Sequence, residues 1–187
     1  MKVLHITNNY PTSNYPIFGI FVKEQIDSLS QIGINNDVFF INGREYGKRE
    51  YLNSIIRLRR YLKNKNYDII HCHHAYSAII LLFTLRFSNS KKIVSFQNDP
   101  AKEGGMFLFK ILRWFSNAII LKNDNQKFLS RKMFYLPNGV NIDFFKPYDK
   151  YESKKKLDLD PDLNYILFMD SYKKRNQKRI DRFKETI

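Results

Sequence analysis

The sequence predicts an α/β fold, a Rossmann-like parallel sheet with helices on both faces. Short apolar segments of about five residues alternate with amphipathic segments, the pattern that strand–helix–strand units produce. The chain has 187 residues, of which 43% are hydrophobic, enough for one domain with a core but too few for two full domains. The crossover connections of such a sheet are expected to be right-handed.

Six strands are expected within residues 1–145, in the segments 2–7, 37–42, 67–73, 92–96, 117–121 and 133–137. Helices are expected over about 19–31, 51–63, 75–87, 105–116 and 124–130, and the segment 44–50 is expected to be a polar loop. Gly33 is a plausible helix C-cap. The expected inward residues are Phe21, Ile26, Leu29 and Ile32 of the first helix, and Leu52, Ile55, Ile56 and Leu62 of the second.

Three segments divide the chain. Residues 1–145 form the predicted first domain, and the polar stretch 146–164 is a linker with one helical turn. Residues 165–187 then contain an apolar strand, 165–169, and the start of a helix. A lone strand–helix pair cannot bury a core, so we expect it to pack on the first domain or on another chain, or to remain loose.

Charge and cysteine content limit the classes of function. The formal net charge is +14, which favours a negatively charged partner such as a nucleotide diphosphate, an anionic membrane surface or a nucleic acid. Cys72 is the single cysteine, which excludes a disulfide framework and a cysteine zinc site and fits a cytoplasmic protein. The N-terminus turns polar after a few residues and is read as a strand rather than as a secretory signal.

Ligands of such a sheet bind beyond the carboxyl ends of its strands. This places four segments around one crevice: 8–18, 42–47, 73–75 and 97–105.

The segment YLPNGVNIDFFKP, residues 135–147, closely resembles the interdomain segment of family 4 glycosyltransferases, which have the two-domain GT-B architecture. The matching hinge residues are Pro137, Asn138, Gly139 and Asp143. Asn138 and Gly139 permit positive φ for a sharp turn, and Phe144 or Phe145 is expected to anchor the chain. The resemblance makes 1–145 the acceptor-side domain, and 165–187 the truncated start of a donor-binding domain.

Further positions share the family's order and spacing, in YDIIHCHH (67–74) and SFQNDP (95–100). The resemblance implies catalytic roles for His73, Gln97 and Asp99, and substrate binding by Gly19, Asn98 and the donor-phosphate residue Lys178. Gln97 stands where the family usually has a histidine, and it can hydrogen-bond a hydroxyl but cannot carry a proton.

The function implied is a retaining, hexosyltransferase-type enzyme of surface polysaccharide synthesis. It would move sugar from a nucleotide sugar to a saccharide or lipid-linked acceptor, with no cofactor and no metal. We expect the 187-residue chain alone to be inactive. One alternative is a non-catalytic acceptor-binding subunit whose partner chain supplies the donor domain. A second is a basic nucleic-acid-binding protein, although no nucleic-acid motif is present and no nucleic-acid partner is expected.

Two groups of residues leave alternatives open. His71, His73 and His74 suggest a metal, but alternation splits them across two strand faces and no further ligand is evident, so none is expected. His5 and His71 are expected to be structural, and His74 to lie at the surface or in a helix cap. The apolar helix with Phe107 and Trp114 is expected to be buried; the alternative is a peripheral contact with an anionic membrane.

Overall fold

The computed structural model describes residues 1–84, 89–123, 130–167 and 177–186, with side chains described for 180–184 in the last range. The chain forms two compact units, Met1–Asn141 and Ile142–Ile187. The helix expected over 124–130 falls almost wholly outside the described residues. Residues 168 and 169 of the strand expected at 165–169 also lie outside the described residues, and residues 165–167 are not in a strand.

The first unit alternates strands and helices along its length. Its strands are β1 Lys2–Thr7, β2 Asn35–Phe40, β3 Ile69–Cys72, β4 Lys91–Phe96, β5 Ala118–Leu121 and β6 Met133–Tyr135. Its helices are α1 Ile20–Gln31, α2 Gly43–Tyr46, α3 Arg49–Leu62, α4 Ala75–Thr84 and α5 Gly105–Phe115. The second unit contains α6 Lys150–Lys156 and α7 Gln177–Thr186.

The six strands form one sheet in the order β2-β1-β3-β4-β5-β6, and each neighbouring pair is parallel. The predicted α/β fold class is therefore confirmed. The chain leaves β1 toward β2 and then returns past β1 to β3, so neighbouring strands diverge at the β1–β3 boundary. This is the topological switch point, where ligands of open α/β sheets bind.

One face of the sheet is covered by α3, α4 and α5, and the side chains that the central strands turn toward these helices are mostly apolar. Leu4, Ile6, Ile70, Val94 and Phe96 are almost completely buried in one core cluster with residues of α3, α4 and α5. Gly33, just after α1, has a φ of 83°, and its N–H donates to Ser30 O, as expected of a C-terminal glycine.

One local prediction is wrong and two are right only in part. The polar loop at 44–50 contains α2 and the start of α3, because Asn42 caps α2 by accepting from the Glu45 N–H. In α1 the buried residues are Val22 and Ile26, while Ile32 is exposed.

In α3, Ile55 and Leu62 pack against the core as expected, whereas Leu52 and Ile56 are exposed. The fully buried residues of this helix are Glu50, Ser54 and Leu58, four apart. Glu50 is tolerated in the interior because Arg57 forms an ion pair with it at 2.7 Å.

Candidate functional site

The switch point brings three strand ends together. Asn8 follows β1, His73 and His74 follow β3, and Gln97 follows β4. In this order β1, β3 and β4 are consecutive neighbours, so the residues that follow them lie side by side at the carboxyl edge of the sheet. The sequence predicted the crevice at this edge.

A buried carboxylate links two of these strand ends. Glu103 is 4% exposed, and its Oε1 lies 2.9 Å from His74 Nε2. The same oxygen accepts the backbone N–H of Gln97 at 3.2 Å. The other oxygen, Oε2, is buried and has no hydrogen-bond partner among the described residues. Glu103 therefore fixes the position of the His74 imidazole, and its Oε2 remains available as a hydrogen-bond acceptor.

His74 is also held from its other side. The Tyr76 N–H donates to His74 Nδ1 at 3.3 Å, which leaves Nε2 to carry the proton toward Glu103. The Ser77 hydroxyl donates to the His74 carbonyl at 2.7 Å, which closes the start of α4. Restraint on both nitrogens gives this imidazole one orientation at the crevice.

Aromatic rings extend this row toward β1. The ring of Tyr76 stacks on His74 with centroids 5.2 Å apart, and Tyr76 is 49% exposed. Tyr51 of α3 meets Tyr76 edge to face at 6.3 Å, and its hydroxyl accepts from Asn8 Nδ2 at 3.5 Å. Asn8 Oδ1 is buried without a partner among the described residues. Aromatic faces beside hydrogen-bonding groups suit a ligand with apolar ring faces and hydroxyl edges.

The loop after β1 is fastened to α2. The Thr12 hydroxyl and the Asn14 amide donate to Glu45 Oε1 at 2.9 and 3.3 Å, and these hydrogen bonds, that of Thr12 foremost, lower the pKa of Glu45. The Arg44 guanidinium lies over the rings of Tyr15 and Phe18 at 4.3 and 4.5 Å. The segments 8–18 and 42–47 therefore form one wall of the crevice.

Gly19 ends this loop and is buried, with a φ of 72°. A Cβ on it would lie 2.3 Å from the backbone carbonyl carbon of Asn9, closer than real Cβ contacts allow. The sequence singled out Gly19 for a place near substrate. In the structure its lack of a side chain lets the two ends of the crevice loop approach each other.

His73 points into the protein rather than into the crevice. It is 2% exposed, and its Nε2 lies 2.9 Å from His5 Nδ1. Burial, with His71 and His5 nearby, holds the pKa of His73 well below its usual value, so the imidazole is neutral. Its carbonyl accepts from Gln97 Nε2 at 3.2 Å, which joins these two predicted residues through the backbone.

The two residues after Gln97 differ in exposure. Asn98 is exposed, whereas Asp99 is half-buried and accepts the Ala101 N–H through Oδ1 at 2.8 Å. Asp99 thus closes the turn that leads to Glu103, as expected for an aspartate before a proline. Asn98 is the member of this segment that is free to face solvent.

The predicted hinge is exposed throughout: Pro137, Asn138, Gly139 and Asp143. Asn138 and Gly139 were expected to permit a positive φ, but neither residue adopts one. The turn therefore needs no left-handed residue. Phe144 and Phe145 are also exposed and do not anchor the chain. They contact each other at 4.9 Å and line an open groove of about 570 Å³ with Lys146, Pro147, Tyr148 and Lys156. Lys178 lies in α7, but its side chain is outside the described residues.

The expectation of a buried α5 is wrong. Phe109 and Leu112 are buried, but Phe107 and Trp114 are 78% and 82% exposed. Met106, Lys110 and Arg113 are exposed on the same helix. The helix is amphipathic, and its outward side mixes aromatic and basic residues.

Sequence reasoning missed Glu103 and Tyr76. No local pattern marks Glu103, because its partners His74 and Gln97 become neighbours only through the strand order. It also treated His5 alone, although His5 and His71 are paired residues of β1 and β3. That pairing was the available signal, since β1 and β3 were both predicted.

Comparison with protein families gives one result that bears on the site. A family model described as Glycosyltransferase Family 4 matches residues 24–144, which span α1 to the hinge. A comparison with curated proteins gave no match. Within the described residues, no helix has the length and apolar character needed to cross a membrane.

Proposed function

The chain belongs to glycosyltransferase family 4, and on this basis we propose that it is the acceptor-side domain of an enzyme that transfers a sugar from a nucleotide sugar. The acceptor is a saccharide or a lipid-linked saccharide of surface polysaccharide synthesis, and the enzyme works on the cytoplasmic face of the membrane. The resemblance at residues 135–147, most of which lies within the matched range, agrees with this proposal.

The observation that carries the acceptor site is the row formed by Tyr76, His74 and Glu103 at the switch point. The half-exposed Tyr76 ring offers a face for a sugar ring, and Glu103 holds the His74 imidazole beside it. Gln97 and Asn98 offer amide groups to sugar hydroxyls. A sugar presents just these two kinds of surface, apolar ring faces and hydroxyl edges.

Transfer breaks the bond between the anomeric carbon and the diphosphate oxygen and forms a bond to an acceptor hydroxyl oxygen. In the proposed retaining reaction, the departing diphosphate takes the acceptor's proton, so no protein base is required. Cationic groups and backbone N–H groups stabilise the leaving diphosphate, and Lys178 is proposed for this role. The contribution of the first unit is then to orient the acceptor hydroxyl.

The test measures saccharide binding by the 187-residue chain. Binding is monitored by NMR titration with methyl glycosides of glucose, galactose and N-acetylglucosamine. Tyr76→Ala is expected to weaken binding roughly five-fold, since an aromatic stacking contact contributes about 1 kcal/mol. Glu103→Gln is expected to weaken binding roughly ten-fold, because it removes the charge-assisted hydrogen bond that holds His74.

The matched control is Tyr151→Ala, which removes an exposed tyrosine of the second unit and should leave binding unchanged. Equal binding by the wild type and both site variants would place the acceptor elsewhere.

We also propose that α5 rests on an anionic membrane. Phe107 and Trp114 supply apolar area, and Lys110 and Arg113 supply positive charge beside them. Their combination on one helix suits anionic headgroups above acyl chains, and the net charge of +14 adds long-range attraction.

Trp114 is the single tryptophan, so its fluorescence reports the contact directly. Its emission is expected to shift to the blue with vesicles of phosphatidylcholine and phosphatidylglycerol, and not with phosphatidylcholine alone. Replacing Lys110 and Arg113 by alanine should weaken binding roughly 30-fold, at about 1 kcal/mol per charge. Phe134→Ala, an exposed aromatic of β6, is the control. An equal shift with both kinds of vesicle contradicts the charge argument.

A further inference from the structure

We propose that His5, His71 and His73 form a buried site for one divalent transition-metal cation, Zn²⁺ foremost, that ties β1 to β3. The three residues offer ligand atoms that all lie within 4.8 Å of one another. His5 and His71 are paired residues of neighbouring parallel strands, and His73 is two residues beyond His71 on the same face. The inference is independent of the proposed transfer reaction.

The expectation of no metal used a premise that the structure contradicts. It counted the histidines of one strand and found no further ligand. The neighbouring strand supplies His5, whose ring centroid lies 5.6 Å from that of His71 and 5.2 Å from that of His73. Three histidine ligands with a water in the fourth position is an established zinc arrangement.

The hydrogen bonds of Asn36 determine which nitrogen of His5 carries the proton. The Asn36 amide nitrogen donates to Ser30 Oγ and to the Ile34 carbonyl, both at 3.0 Å. Asn36 Oδ1 is therefore the acceptor that faces His5 Nε2 at 2.9 Å, so His5 carries its proton on Nε2. His5 Nδ1 then has a lone pair, and it points to His73 Nε2.

The proton between these two rings must then belong to His73 Nε2, which leaves His73 Nδ1 as a lone pair. That atom is buried and has no hydrogen-bond partner among the described residues. Buried polar atoms in native proteins nearly always have a partner. The histidine cluster by itself thus leaves one buried acceptor, His73 Nδ1, unsatisfied, while the nitrogens of His5 and His73 that face each other are the pair an ion would bind.

The surroundings suit metal binding in two ways. Burial lowers the pKa of all three imidazoles, that of His71 to about 3, so each is neutral, as a metal ligand must be. Asn36 Oδ1 orients His5, and Ser95 Oγ, 2.7 Å from His71 Nε2, orients His71. Hydrogen bonds of this kind fix the rings of metal-binding histidines.

Binding requires a small rearrangement of the rings. Tetrahedral zinc with Zn–N bonds of about 2.0–2.1 Å separates its nitrogen ligands by about 3.3 Å. The 2.9 Å gap between His5 Nδ1 and His73 Nε2 must open slightly as the ion takes the place of the proton on His73 Nε2, which moves to His73 Nδ1, and the widest gap must close. Lys122 is a charged group that faces His71 and His73, and its positive charge opposes a cation bound there.

The test uses the full chain, unfolded in chelator and refolded with or without one equivalent of Zn²⁺. After gel filtration, elemental analysis is expected to find about one zinc ion per chain, and the Zn²⁺-refolded protein should melt at a higher temperature. Co²⁺ in place of Zn²⁺ should give the visible absorption bands of a tetrahedral site.

His71→Asn should abolish retention of the metal, whereas His74→Asn, a change to the adjacent histidine outside the cluster, should not. If His71→Asn does not fold, the Co²⁺ spectrum of the wild type decides. A wild type that folds without retaining zinc and gives no tetrahedral cobalt bands overturns the proposal, as does metal retained equally by both variants.

Discussion

Gly19→Ala is expected to lower the free energy of unfolding by about 3 kcal/mol or more. The added Cβ meets three backbone atoms, the carbonyl carbon and oxygen of Asn9 and the nitrogen of Tyr10, at 2.3, 2.4 and 2.6 Å. Backbone atoms cannot rotate away as a side chain does, so the clash forces the crevice loop to move. Left-handed strain of about 1–2 kcal/mol and overpacking of about 1–3 kcal/mol combine at this position.

Gly33→Ala is the matched control. Gly33 has a similar φ of 83°, but nothing lies within 4 Å of its would-be Cβ. Its replacement should lower stability by the left-handed strain alone, about 1–2 kcal/mol. Urea unfolding of both variants measures the two values. Equal losses for Gly19 and Gly33 would falsify the close approach of the loop to α1.

Chelator-treated protein is expected to lose stability steeply as the pH falls below 6.5. The pKa values of His5, His71 and His73 are lowered in the folded state by burial, and that of His71 is about 3. Their neutral forms therefore stabilise the fold fully above the unfolded value of about 6.5. That stability is lost as the pH falls from there toward the folded pKa values, because the unfolded chain takes up protons first.

His71, whose folded pKa is about 3, contributes a slope of up to about 1.4 kcal/mol per pH unit, and His5 and His73 add to it in the same direction. Urea unfolding between pH 6.5 and 4.5 measures the slope while carboxylates remain largely ionised. His71→Gln should reduce the slope by about 1.4 kcal/mol per pH unit. A stability that stays constant over this range would show that the three rings are not buried as neutral groups.

The alternation of strands and helices and the place of the crevice follow from short-range pattern, because apolar strands and connecting segments are local features. Strand β2 shows the limit. Its apolar run begins at Val38, yet pairing with β1 extends the strand back to Asn35. Asn36 is polar because it serves His5, a contact 31 residues distant in sequence. Composition alone gives no reason to place it in a strand.

The prediction of which α3 residues are buried fails in part for a related reason. Leu52 and Ile56 look like core residues by type, but the core-facing positions hold Glu50, Ser54 and Leu58. Arg57 pairs with Glu50 and also donates to the Phe40 carbonyl at 2.7 Å, so the polar face is satisfied in the interior. Such compensation depends on tertiary contacts, which hydrophobic periodicity does not contain.

The residues of the candidate site differ in the same way, because some could be found from the local sequence and others depend on tertiary contacts. Gln97 and Asp99 were found through their segment, since the resemblance lies in consecutive residues. Glu103 and the cluster of His5 with His71 and His73 depend on which strands become neighbours. His73 shows how position and orientation differ: it follows β3 at the crevice, yet its ring turns inward to His5.

Mapping the saccharide contact residue by residue tests the central claim most directly. Amide chemical shifts of the ¹⁵N-labelled chain would be followed as methyl glycosides are added. The proposed acceptor site predicts that the largest changes fall at His74, Tyr76, Gln97 and Asn98 and diminish in Glu103→Gln. Changes confined to other parts of the first unit, or none with any of the three sugars, would contradict an acceptor site at the carboxyl edge of this sheet.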